Sequence, residues 1–357
     1  MTRQAENADI ILSTNTHVPY LSMLSKIPNK QFIIFSRRYQ GRDWQNQYRP
    51  LPSNCIHVAI DNPILNDFYL GLALQAKKII LHCFDDLKMF CSEKSKLYPQ
   101  LQKIPKIYVF HNSSFTEFGN IPEQEKMQRI QNLHRVFVEN NIRPVFISKF
   151  KQESWHMAGD IILPGIDTSE FVNCWTGRNN KIKFNDKFDN FSLRVCSNFE
   201  HRDFMNGYKI GNNVLGQSRY PSIVLGEGNN NVREKTPNTI FAISNNLENY
   251  KEYLSMARFL FSANIDKFED WYNLSSLEAV AVGTPVLMTY HDKQNNIPDF
   301  QKYFPMVSDD YGHLVSEAKK MFMDYDYAQN MSQLQRGFVE KYFSLSRFVA
   351  RWTEVLK

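Results

Sequence analysis

The hydrophobic residues of this chain fall in short runs of four or five, rich in Ile, Val and Phe and separated by helix-length spacers. Such runs are typical of strands that are buried on both faces of a parallel sheet. The pattern predicts strands in the N-terminal half at 9–13, 31–35, 78–81, 106–110, 144–147 and 160–163. It predicts further strands in the C-terminal half at 193–196, 222–225, 239–243, 259–262, 285–288 and 304–307. We therefore predict an α/β fold with two doubly wound, Rossmann-like domains.

A polar interruption indicates the domain boundary. Residues 168–190 are rich in Asn and Lys with little periodicity, which is typical of a linker. We predict an N-terminal domain at 1–167, this linker at 168–190 and a C-terminal domain at 191–336. Apolar residues recur at helical spacing over 337–357 and predict a terminal helix. It packs on a core or lies on a membrane surface, and its few cationic residues favour packing.

Composition narrows the class of protein. With 43% hydrophobic and 22% charged residues, the chain is typical of globular proteins. The five cysteines and the histidines are scattered without ligand-like pairs, so we expect free buried thiols and no metal site. The opening MTRQAENADIILSTNT has too short an apolar run for a signal peptide or a membrane span, so we expect a cytoplasmic protein.

The most informative segment is a predicted apolar helix that begins at Leu274 and ends at Gly283, before Pro285. Its one charged residue is Glu278. A buried carboxylate requires hydrogen-bond donors, and the hydroxyl groups of a ligand would supply them. The alternative is that Glu278 faces solvent or pairs with a Lys or Arg.

The residues before this helix favour a ligand. Asp270 lies in the loop that enters the helix, eight residues before Glu278. Between them, the N–H groups around Asn273, Leu274 and Ser275 form a helix N-terminus, which attracts phosphate. Two carboxylates for hydroxyl groups and an anion site between them match a nucleotide sugar.

The segment from Asp270 to Val286 resembles the donor-site signature of GT-B glycosyltransferases of the large retaining group 1 (family 4) type. In that family an acidic residue, a short loop and L-x-x-L-E-A-x-A-x-G-x-P-V occur in this order. Asp270 stands where the family usually has Glu, and Trp271 and Asn273 stand where Gly is common. The resemblance implies two domains facing across a cleft, with the terminal helix crossing back to the first domain. It also implies retaining transfer of a sugar from a nucleoside-diphosphate sugar to a hydroxyl acceptor, without a metal or other cofactor.

The resemblance extends to further residues of the C-terminal half. Arg202 follows a predicted strand and would stabilise the departing diphosphate, with Lys209 in reserve, although Asn198 stands where the family often has Arg. A solvated loop position is the alternative for Arg202. Gly226 and Gly228 resemble the family's G-x-G turn, which permits close approach of a ligand to the backbone.

Three positions of the N-terminal half also correspond to family sites. His111 follows a predicted strand, where the family often places a His near the transferred sugar; a purely structural role is the alternative. Ser148 resembles a Ser that faces the donor phosphate. Thr16 and His17 lie on the acceptor side, where the family has a Gly-rich loop, but no glycine precedes Gly41.

The expected partners are a nucleotide-sugar donor and a cell-surface glycan, lipid-linked or lipopolysaccharide-precursor acceptor, but no nucleic acid. The net charge of +5 arises from the N-terminal half, which would favour peripheral contact with the anionic inner face of the cytoplasmic membrane. Ordinary surface charge is the alternative. Two rival functions remain: another GT-B nucleotide-sugar enzyme such as an epimerase, and a catalytically silent scaffold, which would explain the departures at Asn198, Asp270 and residues 15–17.

Overall fold

The structure is a computed structural model and describes residues 8–61, 67–91, 99–187, 189–229, 232, 238–270, 272–290 and 297–357. The chain divides into two compact units. Unit 1 comprises residues 1–165 and 346–357, and unit 2 comprises residues 166–345. Each unit is built around its own parallel sheet.

Unit 1 holds a seven-stranded parallel sheet in the order β3-β2-β1-β4-β5-β6-β7. Its strands are β1 (Asp9–Thr14), β2 (Lys30–Arg37), β3 (Cys55–Ile60), β4 (Lys78–Leu81), β5 (Lys106–Phe110), β6 (Ile142–Phe146) and β7 (Asp160–Ile161). Its helices are α1 (Val18–Leu24), α2 (Asp67–Ala73), α3 (Phe84–Cys91), α4 (Pro99–Lys103), α5 (Ser114–Phe118), α6 (Glu123–Glu139) and α7 (Lys149–Ser154). The order reverses beside β1, so the carboxyl ends of β1 and β4 form a topological switch point.

Unit 2 holds a five-stranded parallel sheet in the order β10-β9-β8-β11-β12. Its strands are β8 (Ser192–Val195), β9 (Ser222–Leu225), β10 (Thr239–Ala242), β11 (Phe259–Ser262) and β12 (Val286–Met288). Its helices are α8 (Asp203–Asn206), α9 (Tyr208–Ser218), α10 (Leu247–Met256), α11 (Leu274–Val282), α12 (Phe300–Tyr303), α13 (Tyr311–Met323) and α14 (Tyr325–Tyr342). Its switch point lies between β8 and β11.

The structure differs from the predicted strands in two places. The prediction missed β3, an edge strand whose Ile56 is exposed and whose apolar run is interrupted by His57. It was wrong for 304–307, where the buried side chains of Phe304 and Met306 pack from a non-strand segment. Pro305 has no N–H to donate to a ladder, so a single bridge from Thr289 to Ser308 takes the place of a strand.

The C-terminal segment forms two helices where the sequence predicts one over 337–357. α14 ends at Tyr342, and α15 (Leu345–Val355) follows a short break. From Ser346 onward the chain belongs to unit 1. There Phe348 and Trp352 are buried, and Trp352 Nε1 donates to the Tyr20 hydroxyl at 3.2 Å.

Candidate active site

The predicted anion site lies at the start of α11, beside the switch point of the unit 2 sheet. Asn273 caps the helix, because its side-chain oxygen accepts a hydrogen bond from the Ser276 N–H at 2.8 Å. The N–H groups of Leu274 and Ser275 have no acceptor in the part of the chain that the structure describes. Two donors of the helix N-terminus therefore remain available to an anion.

A cavity of about 30 Å³ opens beside these donors. It is lined by residues that follow β8 and β11 and by the first turn of α11, among them Cys196, Phe199, Asn206, Asn264, Asn273, Ser275 and Ser276. The Ser276 side chain is 3% exposed, and its hydroxyl has no hydrogen-bond partner among the described residues. An unpaired buried hydroxyl is costly, so this group is suited to a ligand that supplies the missing partner.

Arg202 does not line this cavity, but it lies close to Cys196, which does. Arg202 is exposed, and the Cys196 thiol forms a hydrogen bond with Asn206 Nδ2 at 3.1 Å. Burial raises the pKa of Cys196, while Arg202 acts in the opposite direction. Lys209 is also exposed and does not line the cavity. Its backbone N–H donates a hydrogen bond to Asp203 Oδ1 at 2.8 Å.

Glu278 is buried and does not face solvent. Its side chain is 6% exposed, and Oε2 accepts a hydrogen bond from the Tyr250 hydroxyl at 3.0 Å. Tyr250 belongs to α10, which packs against α11. Sequence reasoning did not identify this partner, because nothing in the spacing of the two residues relates them.

Asp270 is the second buried carboxylate of the segment, at 3% exposure. Asn264, which lines the cavity, donates to the Asp270 carbonyl at 2.7 Å and so joins this loop to the end of β11. The neighbouring Trp271 lies outside the described residues. Asp270 is thus held at the entrance to α11, as the predicted order of residues requires.

The two glycines after β9 face protein rather than open space. A Cβ on Gly226 would lie 2.6 Å from the Cys196 carbonyl oxygen, and one on Gly228, at φ +73°, would lie 2.0 Å from Asn198 Oδ1. Asn198 itself adopts φ 50°, and Asn229 bonds to the Cys196 carbonyl. These glycines therefore permit contact between the loops after β8 and β9, which explains them without a ligand.

In unit 1, Ser148 and Thr16 have local structural partners. The Ser148 hydroxyl caps α7 by accepting from the Lys151 N–H at 3.0 Å. Thr16 Oγ1 accepts from Arg37 Nη2 at 3.5 Å. Neither contact identifies a ligand, so the phosphate role of Ser148 and the acceptor-side role of Thr16 stay predictions.

His111 and His17 lie together at the carboxyl edge of the unit 1 sheet. Their ring centroids are 4.3 Å apart. His111 also forms a hydrogen bond with a third histidine, His82, with His111 Nε2 lying 2.9 Å from His82 Nδ1. Burial lowers the pKa of His82 to about 3, and burial also lowers the pKa of His111. Both imidazoles are therefore neutral near pH 7. His82 follows β4 as His111 follows β5, and this shared strand-end position was the signal that could have found it.

A buried ion pair lies beside the histidines. Arg37 and Asp86 are both buried, with Nη1 3.3 Å from Oδ1. Asp86 Oδ2 accepts from Thr14 Oγ1 at 2.5 Å and from the N–H groups of His82 and Cys83 at 2.7 and 3.0 Å. Burial opposes the charge of Arg37, but Asp86 and Cys83 raise its pKa above the ordinary value. The pair anchors the loops that carry the histidines.

No group of three His, Cys, Asp or Glu side chains that could hold a metal ion occurs among the described residues. The cysteines are free thiols, but of the expected buried ones only Cys55 is buried, since Cys83, Cys91 and Cys196 are half-buried and Cys174 is exposed. None of the helices in the described ranges is long and apolar enough to cross a membrane.

No protein-family model and no curated protein matches the sequence. Solved structures match nearly the whole chain. A glycosyltransferase from Rickettsia africae ESF-5 has a TM-score of 0.62 and 13% identity, covering 98% of each chain. Anabaena HepE, solved with UDP and glucose, has a TM-score of 0.64 and 11% identity, covering 98% of this chain and 99% of HepE. An α-glucosyltransferase solved with UDP-glucose and DNA has a TM-score of 0.63 and 10% identity, covering 98% of each chain. The predicted α/β fold with two Rossmann-like domains of the GT-B type is confirmed.

Proposed function

We propose that this protein is a glycosyltransferase that moves a sugar from a nucleoside-diphosphate sugar to a hydroxyl acceptor, with retention of the anomeric configuration. The observation that carries the proposal is the first turn of α11, where two backbone N–H groups and the buried Ser276 hydroxyl have no partner among the residues that the structure describes. Three convergent donors beside a cavity are suited to a phosphate group. Neighbours of the same fold were solved with UDP or UDP-glucose, which supports this assignment.

The two carboxylates of the segment would hold the rest of the donor. Glu278 would accept hydrogen bonds from the ribose hydroxyls, with Tyr250 fixing its carboxylate from the other side. Asp270 would accept hydrogen bonds from the hydroxyls of the sugar. Because both side chains are already buried, little further desolvation is required when the hydroxyls bind.

The reaction creates charge where these groups lie. As the bond between sugar and phosphate breaks, positive charge develops on the anomeric carbon and negative charge on the departing diphosphate. Arg202 and the donors of α11 would stabilise that negative charge, and each preorganised donor of this kind typically contributes about 3 kcal/mol. As the resemblance to the retaining family implies, an oxygen of the leaving phosphate would take the acceptor proton on the same face of the sugar.

The acceptor would be a cell-surface glycan, a lipid-linked oligosaccharide or a lipopolysaccharide precursor. The fold itself does not set the acceptor class, since one neighbour was solved with DNA. The surplus of basic residues in the N-terminal half favours an acceptor presented at an anionic membrane face. His17 and Thr16 would line the acceptor side, and His111 would face the transferred sugar.

The proposal is tested by thermal unfolding in the presence of UDP, GDP, ADP, CMP and dTDP and of their common sugars. A ligand at about 100 times its dissociation constant adds about 2.7 kcal/mol to the free energy of unfolding. We expect one nucleotide to stabilise the protein more than the others. Product analysis by proton NMR with that donor then compares the anomeric configuration of product and donor.

Glu278→Gln supplies the decisive variant, and Glu248→Gln supplies the control. Both residues are in unit 2, but Glu248 is exposed on α10. Losing one charged hydrogen-bonding group should weaken donor binding by roughly 10- to 100-fold in Glu278→Gln and leave Glu248→Gln unchanged. Equal affinities in both variants would remove the ribose assignment, and no response to any nucleotide would favour the silent scaffold.

A further inference from the structure

Three side chains of unit 1, those of Ser13, His82 and His111, form a line of hydrogen bonds across neighbouring strand ends, which we call the relay. Ser13 belongs to β1, His82 follows β4 and His111 follows β5, and these strands are adjacent in the sheet. Ser13 Oγ lies 2.9 Å from His82 Nε2, and His82 Nδ1 lies 2.9 Å from His111 Nε2. Of the four ring nitrogens, His111 Nδ1 alone has no partner within the described ranges.

The direction of these hydrogen bonds follows from Ser13. Its side chain is 0% exposed, and among the described residues its hydroxyl has no partner besides His82. If Ser13 accepted a hydrogen bond from His82, its own hydroxyl hydrogen would be buried without an acceptor. An unpaired buried donor costs more than an unused lone pair, so the Ser13 hydroxyl donates to His82 Nε2.

The tautomers of both rings then follow in turn. A neutral imidazole carries one N–H, so His82 accepts at Nε2 and donates from Nδ1. That N–H is donated to His111 Nε2, which leaves the proton of His111 on Nδ1. We propose that Ser13 and His82 are positioning residues that hold His111 in its Nδ1–H tautomer, as a hydrogen-bond donor to a hydroxyl oxygen of the transferred sugar.

The surrounding rings hold His111 in one orientation. His17 packs against it at 4.3 Å, and Tyr20 packs perpendicular to it at 4.8 Å. Tyr20 is in turn fixed by α15, through ring contact with Phe348 and the hydrogen bond from Trp352. Besides the Tyr20 hydroxyphenyl ring, the charged or titratable groups that face His111 are His17, His82 and Lys151, and all three of these oppose its protonation.

This arrangement separates binding from proton transfer. With its proton on Nδ1, His111 offers a donor to the ligand and has no free lone pair with which to take the acceptor proton. That proton must therefore leave by another route, which agrees with transfer to the departing phosphate. The identity of the ligand hydroxyl rests on the proposed function, whereas the tautomer does not.

The test is a long-range proton–nitrogen correlation spectrum of the full-length protein labelled with ¹⁵N at histidine, recorded near pH 7. The spectrum distinguishes protonated from unprotonated ring nitrogens directly, and His111→Gln identifies the His111 signals. We expect His111 Nδ1 protonated and Nε2 unprotonated. The opposite tautomer, or an imidazolium, would overturn the proposal without any variant of the relay.

Ser13→Ala tests the cause of the tautomer, and Ser36→Ala is its matched control. Ser36 is a buried serine on the adjacent β2 whose hydroxyl has no partner in the described part of the chain. Ser13→Ala should replace the single His111 tautomer by a mixture, while Ser36→Ala should leave it unchanged. An unchanged single tautomer in Ser13→Ala would show that Ser13 does not set it.

Kinetics with the donor found above separate this proposal from the proposed function. Ser13→Ala should lower kcat/KM for the nucleotide sugar by roughly three- to tenfold, the value of one neutral hydrogen bond. It should leave the dissociation constant of the nucleoside diphosphate unchanged, because that ligand lacks the transferred sugar. The predicted tautomer with no nucleotide-sugar binding would retain the relay and remove the proposed function. A functioning transferase with the opposite tautomer would retain the proposed function and remove the relay.

Discussion

The carboxyl edges of the two sheets differ in how their polar groups are partnered, although the Ser36 hydroxyl at the end of β2 in unit 1 also has no partner among the described residues. In unit 1 the polar groups bind one another: Asp86 accepts from Thr14 and two backbone N–H groups, and Ser13, His82 and His111 form a continuous line. In unit 2 the Ser276 hydroxyl and the first N–H groups of α11 have no partner among the described residues. The first edge is organised without a ligand, whereas the second would, under the proposed function, be completed by one.

The comparison predicts that removing a polar group destabilises unit 1 more than unit 2. Asp86→Ala leaves the buried Arg37 with only the half-exposed Asp85, at 3.6 Å, as a counter-ion, and it removes the acceptor of Thr14 and of the N–H groups of His82 and Cys83. We expect a loss of about 3–5 kcal/mol in the free energy of unfolding, measured in urea. Asp85→Ala, at a half-exposed neighbour, should cost less than about 1 kcal/mol. Similar losses in the two variants would contradict a preorganised edge.

The neutral histidines of unit 1 predict a dependence of stability on pH. Burial lowers the pKa of His82 from 6.5 to about 3, so below pH 6.5 the unfolded chain binds a proton that the folded chain does not. The stabilisation is complete above pH 6.5 and is lost as the pH falls toward 3, by about 1.4 kcal/mol per pH unit. Urea unfolding between pH 7 and 5 measures this slope. His82→Gln should reduce it, and His134→Gln, at an exposed position on α6, should not.

A smaller effect is expected at the helix caps of unit 2. Asn273→Ala and Asn246→Ala each remove a side-chain oxygen that accepts a backbone N–H in the first turn of a helix. Each should lower the free energy of unfolding by about 1 kcal/mol. The two variants should differ in nucleotide binding, measured by calorimetry, since Asn273 holds the first turn of α11 beside the cavity. Equal nucleotide affinities would separate the cap from the ligand site.

The smallest effect on stability is expected at Ser276. Because its buried hydroxyl has no partner in the described ranges, Ser276→Ala should leave the free energy of unfolding within about 0.5 kcal/mol of the parent value. Nucleotide-diphosphate affinity should nevertheless fall by roughly threefold or more. Ser222→Ala removes from β9 of the same unit a hydroxyl that is likewise buried and without a partner among the described residues, and it should change neither quantity. A large loss of stability in Ser276→Ala would reveal a structural role.

Much of the fold follows from local sequence pattern. Continuous apolar runs such as 78–81, 222–225 and 259–262 are strands with the predicted bounds, because strands buried on both faces show no alternation with polar residues. The edge strand β3 carries a weaker pattern, since one side faces solvent. The run at 304–307 is apolar for a different reason, namely that a non-strand segment packs into the core.

The candidate site was predictable only in part, for a related reason. Three residues of one short segment carry local signals. Asn273 is a helix N-cap, Glu278 is an isolated carboxylate in an apolar helix, and Gly283 ends the helix in the left-handed conformation. Tyr250 and Ser276 do not, because partnership with Glu278 and burial beside a cavity depend on how separate elements pack. The relay of Ser13 and His82 likewise depends on strand order, which places residues distant in sequence side by side.

The most direct test of the central claim is a calorimetric titration of the protein with a nucleoside diphosphate and with the matching nucleoside, using the base that the thermal screen selects. If the first turn of α11 binds phosphate, the diphosphate should bind at least tenfold more tightly than the nucleoside, and Ser276→Ala should narrow that difference while Ser222→Ala should not. Equal binding of diphosphate and nucleoside, or no binding of either at millimolar concentration, would contradict a donor site at this edge.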